Sequence, residues 1–406
     1  MFNPNGNEII TLAGRDYQVQ PLNVGKLAAT PPALRIIHGA RAEVFQLRDT
    51  STNTLLALKV MRPPFRKPAL IRNRALLAQL SNVRGFEACQ LTYFTPQSHP
   101  NDLAHYPDLE YASLMPWIGG MTWSSVLDSR TQFPINDSTS WKLAYDLLVS
   151  LTVLERNHTA HCDLGSNNVI VDLQNPQTTL IDFDEVYWPD APVPAGLPTG
   201  TPGYRRGTQN QWKASGDRFA TAILVAELLG WRNAQIQNRS SGESFFSEAE
   251  YNDLSSARYL ELQEFLDQLD SKLGSLFRKA WNAHSTEVCP SIQDWRRALA
   301  EAQHWKAIPL DYRDAFQINW SAVKHDLANL SGQPSGPALA IASPPLVNGQ
   351  AAGPQTQPSP SSAAVVNPDT PHPVASQPTP PTIGCMILFA LMVLGLLGWW
   401  ILFVPH

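Results

Sequence analysis

The apolar residues of this chain change their period near Ser138, and that change limits the folds open to it. Ahead of Ser138 they fall in short runs, at 9–12, 17–19, 33–37, 44–47 and 55–60. Runs of this length between turn residues read as strands. Beyond it Trp141, Ala144, Leu148, Leu151 and Leu154 recur at three- and four-residue spacing, with Leu147 widening the stripe. That spacing lines one face of a helix, which ends in Asn157-His158-Thr159. The stretches 215–230 and 259–276 also read as helices. A strand-rich first third and a helix-rich remainder predict an α+β protein of two lobes.

Residues 332–382 follow neither period. They hold 13 prolines among Ala, Ser, Gln and Gly, with one charged residue, Asp369. So little apolar surface cannot offset the entropy of ordering, and the composition predicts a semi-extended tether. Its reach is about 40 Å as a flexible coil and up to roughly 160 Å as polyproline II. Residues 383–404 then run for 22 positions without a charge. As a helix they would span roughly 33 Å, close to the ~30 Å hydrocarbon core. Trp399 and Trp400 would form an aromatic belt at the far interface. Only Pro405 and His406 follow, and the start Met1-Phe2-Asn3-Pro4 has no signal-peptide pattern. The expectation is a single-pass tail anchor with the N-terminal bulk facing the cytoplasm. Cys89, Cys162, Cys289 and Cys385 lack metal-type spacing, which fits reduced thiols. A net charge of −5 and a pI near 6.1 predict no general affinity for nucleic acid.

Chemistry-bearing residues gather just after the helical run. His161-Cys162-Asp163-Leu164-Gly165-Ser166-Asn167-Asn168 fits H-x-D-L-x-x-x-N, and 14 residues past Asn168 comes Asp182, in Ile181-Asp182-Phe183-Asp184. The second string is D-F-G with its glycine replaced. This order offers one carboxylate, Asp163, to accept or orient a hydroxyl proton. An amide and a second carboxylate, Asn168 and Asp182, then suit Mg²⁺ held against a nucleoside triphosphate. Residues 169–171 and 179–181 read as a short hairpin that fixes their separation. Upstream, Gly39-Ala40-Arg41-Ala42-Glu43-Val44 lies between two strand runs and could cover phosphates, although one glycine makes a thin G-x-G-x-x-G match. Lys59, 15 residues after Val44 in Leu56-Ala57-Leu58-Lys59, is similar to the strand lysine of V-A-I-K that reaches the α- and β-phosphates. Leu114-Met115-Pro116-Trp117 reads as a strand leading into a hinge, with backbone groups placed for an adenine.

Together these residues resemble the protein kinase-like superfamily over roughly residues 30–305, with divergent bacterial serine/threonine kinase-like proteins expected as the nearest relatives. Gly200-Thr201-Pro202-Gly203-Tyr204 looks like the end of an activation segment. Asp217 matches the aspartate that braces a catalytic loop, the helix continues through Ala226-Glu227-Leu228, and Pro290-Ser291 with Trp295 looks like the close of the lobe. The resemblance implies a bilobal kinase-like fold: an extension at 1–29, an N-lobe from 30 to about 117, and a C-lobe to 331. It implies ATP and Mg²⁺ as cofactors and Asp163 and Lys59 as catalytic residues. Gly39, Val44, Ala57, Lys59 and Met115 would surround the nucleotide, with Asn168 and Asp182 on the metal.

Departures from the pattern carry their own physics. No Asp or Glu occurs in residues 66–84, so the helix glutamate that usually holds the lysine is missing, leaving Asn73, Gln79 or the later Glu87. Cys162 replaces the arginine that binds a phosphorylated loop, which argues against control at Thr199 or Thr201. Gly165 stands where a lysine is common. Asp184 replaces a permissive glycine and offers a second Mg²⁺ ligand. Thr208 and Cys289 stand where an ion pair would join the lobe's ends, and losing both partners leaves no buried charge alone. Three functions stay open: phosphoryl transfer from ATP to a protein Ser/Thr hydroxyl, a non-catalytic scaffold or nucleotide sensor at a membrane, and a small-molecule kinase.

Overall fold

A computed structural model describes residues 2–21, 36–129, 133–207, 210–240, 242, 244–251, 253–303 and 311–331. The expected tether (332–382), the expected anchor (383–404), Thr208 and the first part of the run at 33–37 lie outside the described residues.

The sheet lobe holds β1 (Ile9–Leu12), β2 (Arg15–Val19), β3 (Ile36–His38), β4 (Ala42–Asp49), β5 (Leu55–Met61), β6 (Thr92–Tyr93) and β7 (Ser113–Pro116). They form one antiparallel sheet in the order β1-β2-β4-β5-β7-β6, with β3 also paired to β4. Residues 1–29, read from the sequence as an extension, therefore supply two strands of this sheet. Alternation sorts its faces. Phe45, Leu47, Leu58, Val60 and Leu114 enter a compact core with Phe94 and Leu109. Register sets Val44 opposite Lys59 and Ala57 opposite Met115 on the other face.

Two short helices, α1 (Arg74–Leu80) and α2 (Pro100–His105), interrupt the strands. The helical lobe follows with α3 (Trp123–Ser129), α4 (Asp137–Arg156), α5 (Arg218–Gly230), α6 (Ala234–Arg239), α7 (Ala257–Leu269), α8 (Ser271–Trp281), α9 (Ile292–Ala302) and α10 (Trp320–Ser331). Helix α4 starts where Asn136 Oδ1 accepts from the Thr139 amide at 2.8 Å, a cap worth about 1 kcal/mol. Its stripe Leu143, Leu147, Leu148, Leu151 and Leu154 is buried in the lobe's core, against α5 and α9. Helix α5 is apolar nearly all round, as a central buried helix must be.

The stretch 259–276 is not one helix. Asp270 is extended (φ −166°, ψ 129°), and its carboxylate caps α8 by accepting from the Lys272 amide at 2.8 Å. Apolar spacing runs on across this break, so periodicity alone does not reveal it.

Helix α1 belongs energetically to the helical lobe. Leu76, Leu77 and Leu80 join that lobe's core rather than the sheet's. On its outer side Arg74 makes a forked pair with Asp326 of α10, Nη2 to Oδ1 at 2.8 Å and Nε to Oδ2 at 3.0 Å. Where the chain crosses from β7 toward α3, Gly120 adopts φ 103°, and a Cβ there would stand 2.4 Å from the Val171 carbonyl oxygen. Only glycine fits that crossing. Among the described residues no helix is long and apolar enough to cross a membrane.

Candidate active site

A small sheet of β8 (Met121–Thr122), β9 (Val169–Asp172) and β10 (Gln177–Leu180), in the order β10-β9-β8, carries the central loop. Its hairpin pairs Val169 with Leu180, so Asn168 and Ile181 are the next residues out on either arm. The Ile181 amide donates to the Asn168 carbonyl at 3.1 Å. Asn168 and Asp182 are thereby brought to the same end of one hairpin, as their spacing predicts.

The loop before Asn168 is held from below. Asp217, at the start of α5, accepts from the backbone amides of His161 at 2.6 Å and Cys162 at 2.8 Å. These bonds hold Cys162 at φ 66°, in the left-handed region that costs an ordinary residue about 1–2 kcal/mol. His161 Nε2 donates to the Ile181 carbonyl at 2.8 Å, and its ring lies 4.6 Å from that of Phe183. Asn168 Nδ2 donates to the Asp163 carbonyl at 2.7 Å, which commits the amide nitrogen and leaves Oδ1 as a ligand-type atom.

Asp163 accepts from the Thr201 hydroxyl at 2.8 Å. Burial raises its pKa, and the Thr201 bond opposes that. Gly165 makes the approach possible, since a Cβ there would meet the Thr201 side chain at 2.9 Å. Thr201 is thus a hydrogen-bond partner of the central carboxylate, a role the sequence reading did not assign it.

Lys59 lies between two acids. Its Nζ donates to Asp182 Oδ1 and to Asp184 Oδ2, both at 2.6 Å. Burial disfavours the ammonium, but the two carboxylates reverse this and hold its pKa above the usual lysine range. Burial likewise opposes ionisation of both acids, yet Lys59 leaves Asp182 below its ordinary value while Asp184 stays above. Asp182 sits at φ 66°, ψ 64°, and its side chain remains 41% exposed.

None of the expected substitutes for a helix glutamate touches Lys59. Asn73 accepts from the Trp188 indole, Gln79 bonds to Asn319, and Glu87 takes the Gly85 amide. The carboxylate comes instead from Asp184, which the sequence offers as a second Mg²⁺ ligand.

One more acid completes the strip. Glu185 pairs with Arg41, from the turn between β3 and β4, whose guanidinium carbon lies 6.0 Å from the centre of the Phe65 ring. Asp163, Asp182, Asp184 and Glu185 face the cations Lys59 and Arg41, leaving two more negative charges than positive. A divalent cation matches that excess. Among the described residues no group of three or more His, Cys, Asp or Glu side chains is placed to hold a metal. Mg²⁺ commonly takes only one or two protein oxygens and finds the rest on water and phosphate, so Asn168 with Asp182 fits it.

The expected nucleotide-contacting residues divide into two groups. Val44, Ala57, Lys59 and Met115 share one sheet face, with Trp117 beyond them joined through its amide to the Leu55 carbonyl at 3.1 Å. Gly39 lies in the β3–β4 turn, where its amide donates to Ala42 at 2.9 Å.

The Cys162 thiol donates to the Gln211 carbonyl at 3.1 Å among Ala160 and Trp212, and burial pushes its pKa up, so it is an inert filler. Near Cys289 a buried cation does occur: Arg206 donates to the Trp281 carbonyl at 2.8 Å and lies over Phe219.

Neither family models nor curated proteins match this chain. Among solved structures it is similar to the kinase PK-1 of Cydia pomonella granulovirus, at 12% identity and a TM-score of 0.44, over 70% of this chain and 93% of that one. So distant a likeness adds nothing to the site and gives the chain no bacterial affinity. The β-rich lobe, the helical lobe and the strand order fit a bilobal kinase-like fold on their own geometry.

Proposed function

We propose that the chain binds ATP with Mg²⁺ between its lobes and transfers the γ-phosphoryl group to a protein Ser or Thr hydroxyl. One observation carries this reading: Lys59, on the sheet face lined by Val44, Ala57 and Met115, meets the same Asp182 that the hairpin sets beside Asn168. A phosphate-directed cation and a metal-directed carboxylate are thus in contact. In this reading Ala57, Val44 and Met115 bound the base, and Lys59 orients the α- and β-phosphates. Asn168 and Asp182 would hold Mg²⁺, which supplies neutralisation of charge on the phosphates. Asp163, steadied by Thr201, takes up the proton of the attacking hydroxyl. Its raised pKa makes it a stronger base once ionised.

The test is turnover of Mg²⁺-ATP by the full chain with protein acceptors, beside Asp163→Asn. A loss on the order of 10³-fold is expected, and an Asn variant that keeps its turnover would sink the reading. Nucleotide binding with no turnover in the unmodified chain would establish the sensor reading instead. Turnover that needs a metabolite and labels no protein would establish the small-molecule kinase.

The uncharged run at 383–404 supports a further part of the proposal, a membrane anchor joined by the proline-rich tether at 332–382. A chain ended at residue 332 should leave the membrane fraction. If it pellets with membranes as the full chain does, the anchor is wrong.

A further inference from the structure

We propose that Arg41 is a phosphate-reading latch, which pairs with Glu185 in this structure and exchanges it for the terminal phosphate of a bound nucleoside triphosphate. The inference rests on the phosphoryl-transfer reading above and assigns its triphosphate selectivity to a side chain.

The backbone around Arg41 is poorly suited to cradle phosphates. Gly39 is the only glycine of residues 39–44, and a Cβ on it would meet the Ala42 carbonyl at 3.1 Å. The Gly39 amide is spent on Ala42 at 2.9 Å, while the Arg41 carbonyl accepts from Arg62 at 2.9 Å. A turn closed in this way has fewer amides to offer than a glycine-rich loop.

The Arg41 side chain is better placed. It is 55% exposed and crosses from the sheet lobe to Glu185, three residues past Asp182. Its charge also acts on Asp163, Asp182 and Asp184, so it stands within electrostatic reach of the acids that surround the transferred group. Phe65 lies against the guanidinium and limits its freedom.

Relative strength favours exchange. An ion pair with one partner this open to water is screened and weak. A terminal phosphate offers the guanidinium the same bidentate, charge-assisted geometry as a carboxylate and brings the larger negative charge. Glu185 therefore acts as a stand-in that a terminal phosphate displaces. A diphosphate, lacking that group, leaves the pair intact.

Calorimetric titration of the full chain with Mg²⁺-ATP and with Mg²⁺-ADP tests this. Arg41→Gln should weaken ATP about 10- to 100-fold and ADP by less than about threefold. Glu185→Gln should tighten ATP by up to about fivefold, because the competitor is gone. The swap Arg41→Glu with Glu185→Arg should leave ATP as weak as Arg41→Gln does. Equal loss for both nucleotides in Arg41→Gln, or recovery of ATP affinity in the swap, would make the pair a brace between lobes and overturn the latch. If the unmodified chain binds neither nucleotide, the phosphoryl-transfer reading falls and takes the latch with it. Binding of both, with Arg41→Gln unchanged for each, removes only the role of Arg41.

Discussion

The acids of the cleft and the acids of α5 are the same residue types in opposite settings. Asp182, Asp184 and Glu185 keep part of their surface open and meet cations, Lys59 and Arg41. Asp217 and Glu227 are buried, and the bonds to their carboxylates come from neutral donors. Asp217 takes two backbone amides, of His161 and Cys162. Glu227 takes the Tyr204 hydroxyl at 2.9 Å, the Trp123 indole at 2.9 Å and the Phe245 amide at 3.0 Å. Ion pairs at an open mouth can trade partners with a ligand, whereas donors fixed in backbone and core cannot leave. The cleft acids are thus suited to exchange and the α5 acids to bracing. Bracing carries a penalty, since a buried carboxylate without a cation resists ionisation.

That penalty gives the larger measurable effect. Burial lifts Glu227 to about 7, despite its three donors, from 4.5. Between those values the folded chain binds a proton that the unfolded chain has lost. This contribution to stability is complete below pH 4.5 and is lost as the pH rises through about 7. Its amplitude is on the order of 3 kcal/mol. Urea unfolding across this range should show stability falling with pH in the unmodified chain, and a total fall smaller by that amount in Glu227→Gln. Nucleotide affinity should not follow, because Glu227 binds Trp123, Tyr204 and Phe245 and none of the cleft cations. An unchanged slope, or a loss of ATP affinity matching that of a cleft variant, would erase the division between the two groups of acids.

How far the sequence could be read follows the same division. Bracing by Asp217 was implied by the resemblance, whereas the hairpin between Asn168 and Asp182 and the strands around Lys59 are set by local spacing, and that spacing was legible. Partners of Lys59 and Arg41 were not, because each is joined across more than a hundred residues of chain. Motif logic looks for the missing carboxylate on α1, yet α1 carries Leu76, Leu77 and Leu80 into the helical lobe and is fastened outside by Asp326. Its apolar spacing was a sign that it had another job. The acidic run Asp184-Glu185 right after Phe183 was the available clue, of which the sequence reading uses only Asp184, as a second Mg²⁺ ligand. Thr201 lies in the segment 200–204 that the resemblance picks out, but nothing local marks its contact with Asp163, which depends on the bare surface of Gly165.

Asp184 gives the smaller and sharper test, because its contact with Lys59 and its possible service to a metal lie on the same two oxygens. If it orients Lys59, Asp184→Asn should weaken Mg²⁺-ATP about tenfold, since Asp182 still holds the ammonium from the other side. The same substitution in a Lys59→Met background should then cost almost nothing, because the group it positions is gone. A metal ligand behaves differently: its loss would cost about the same tenfold with or without the lysine, and raising Mg²⁺ would recover it. The 2.6 Å contact from Lys59 Nζ to Asp184 Oδ2 predicts the first outcome. Persistence of the full loss in the Lys59→Met chain would move Asp184 from the lysine to the metal. The cleft would then lack any carboxylate given over to Lys59, since Asp182 is already committed beside Asn168.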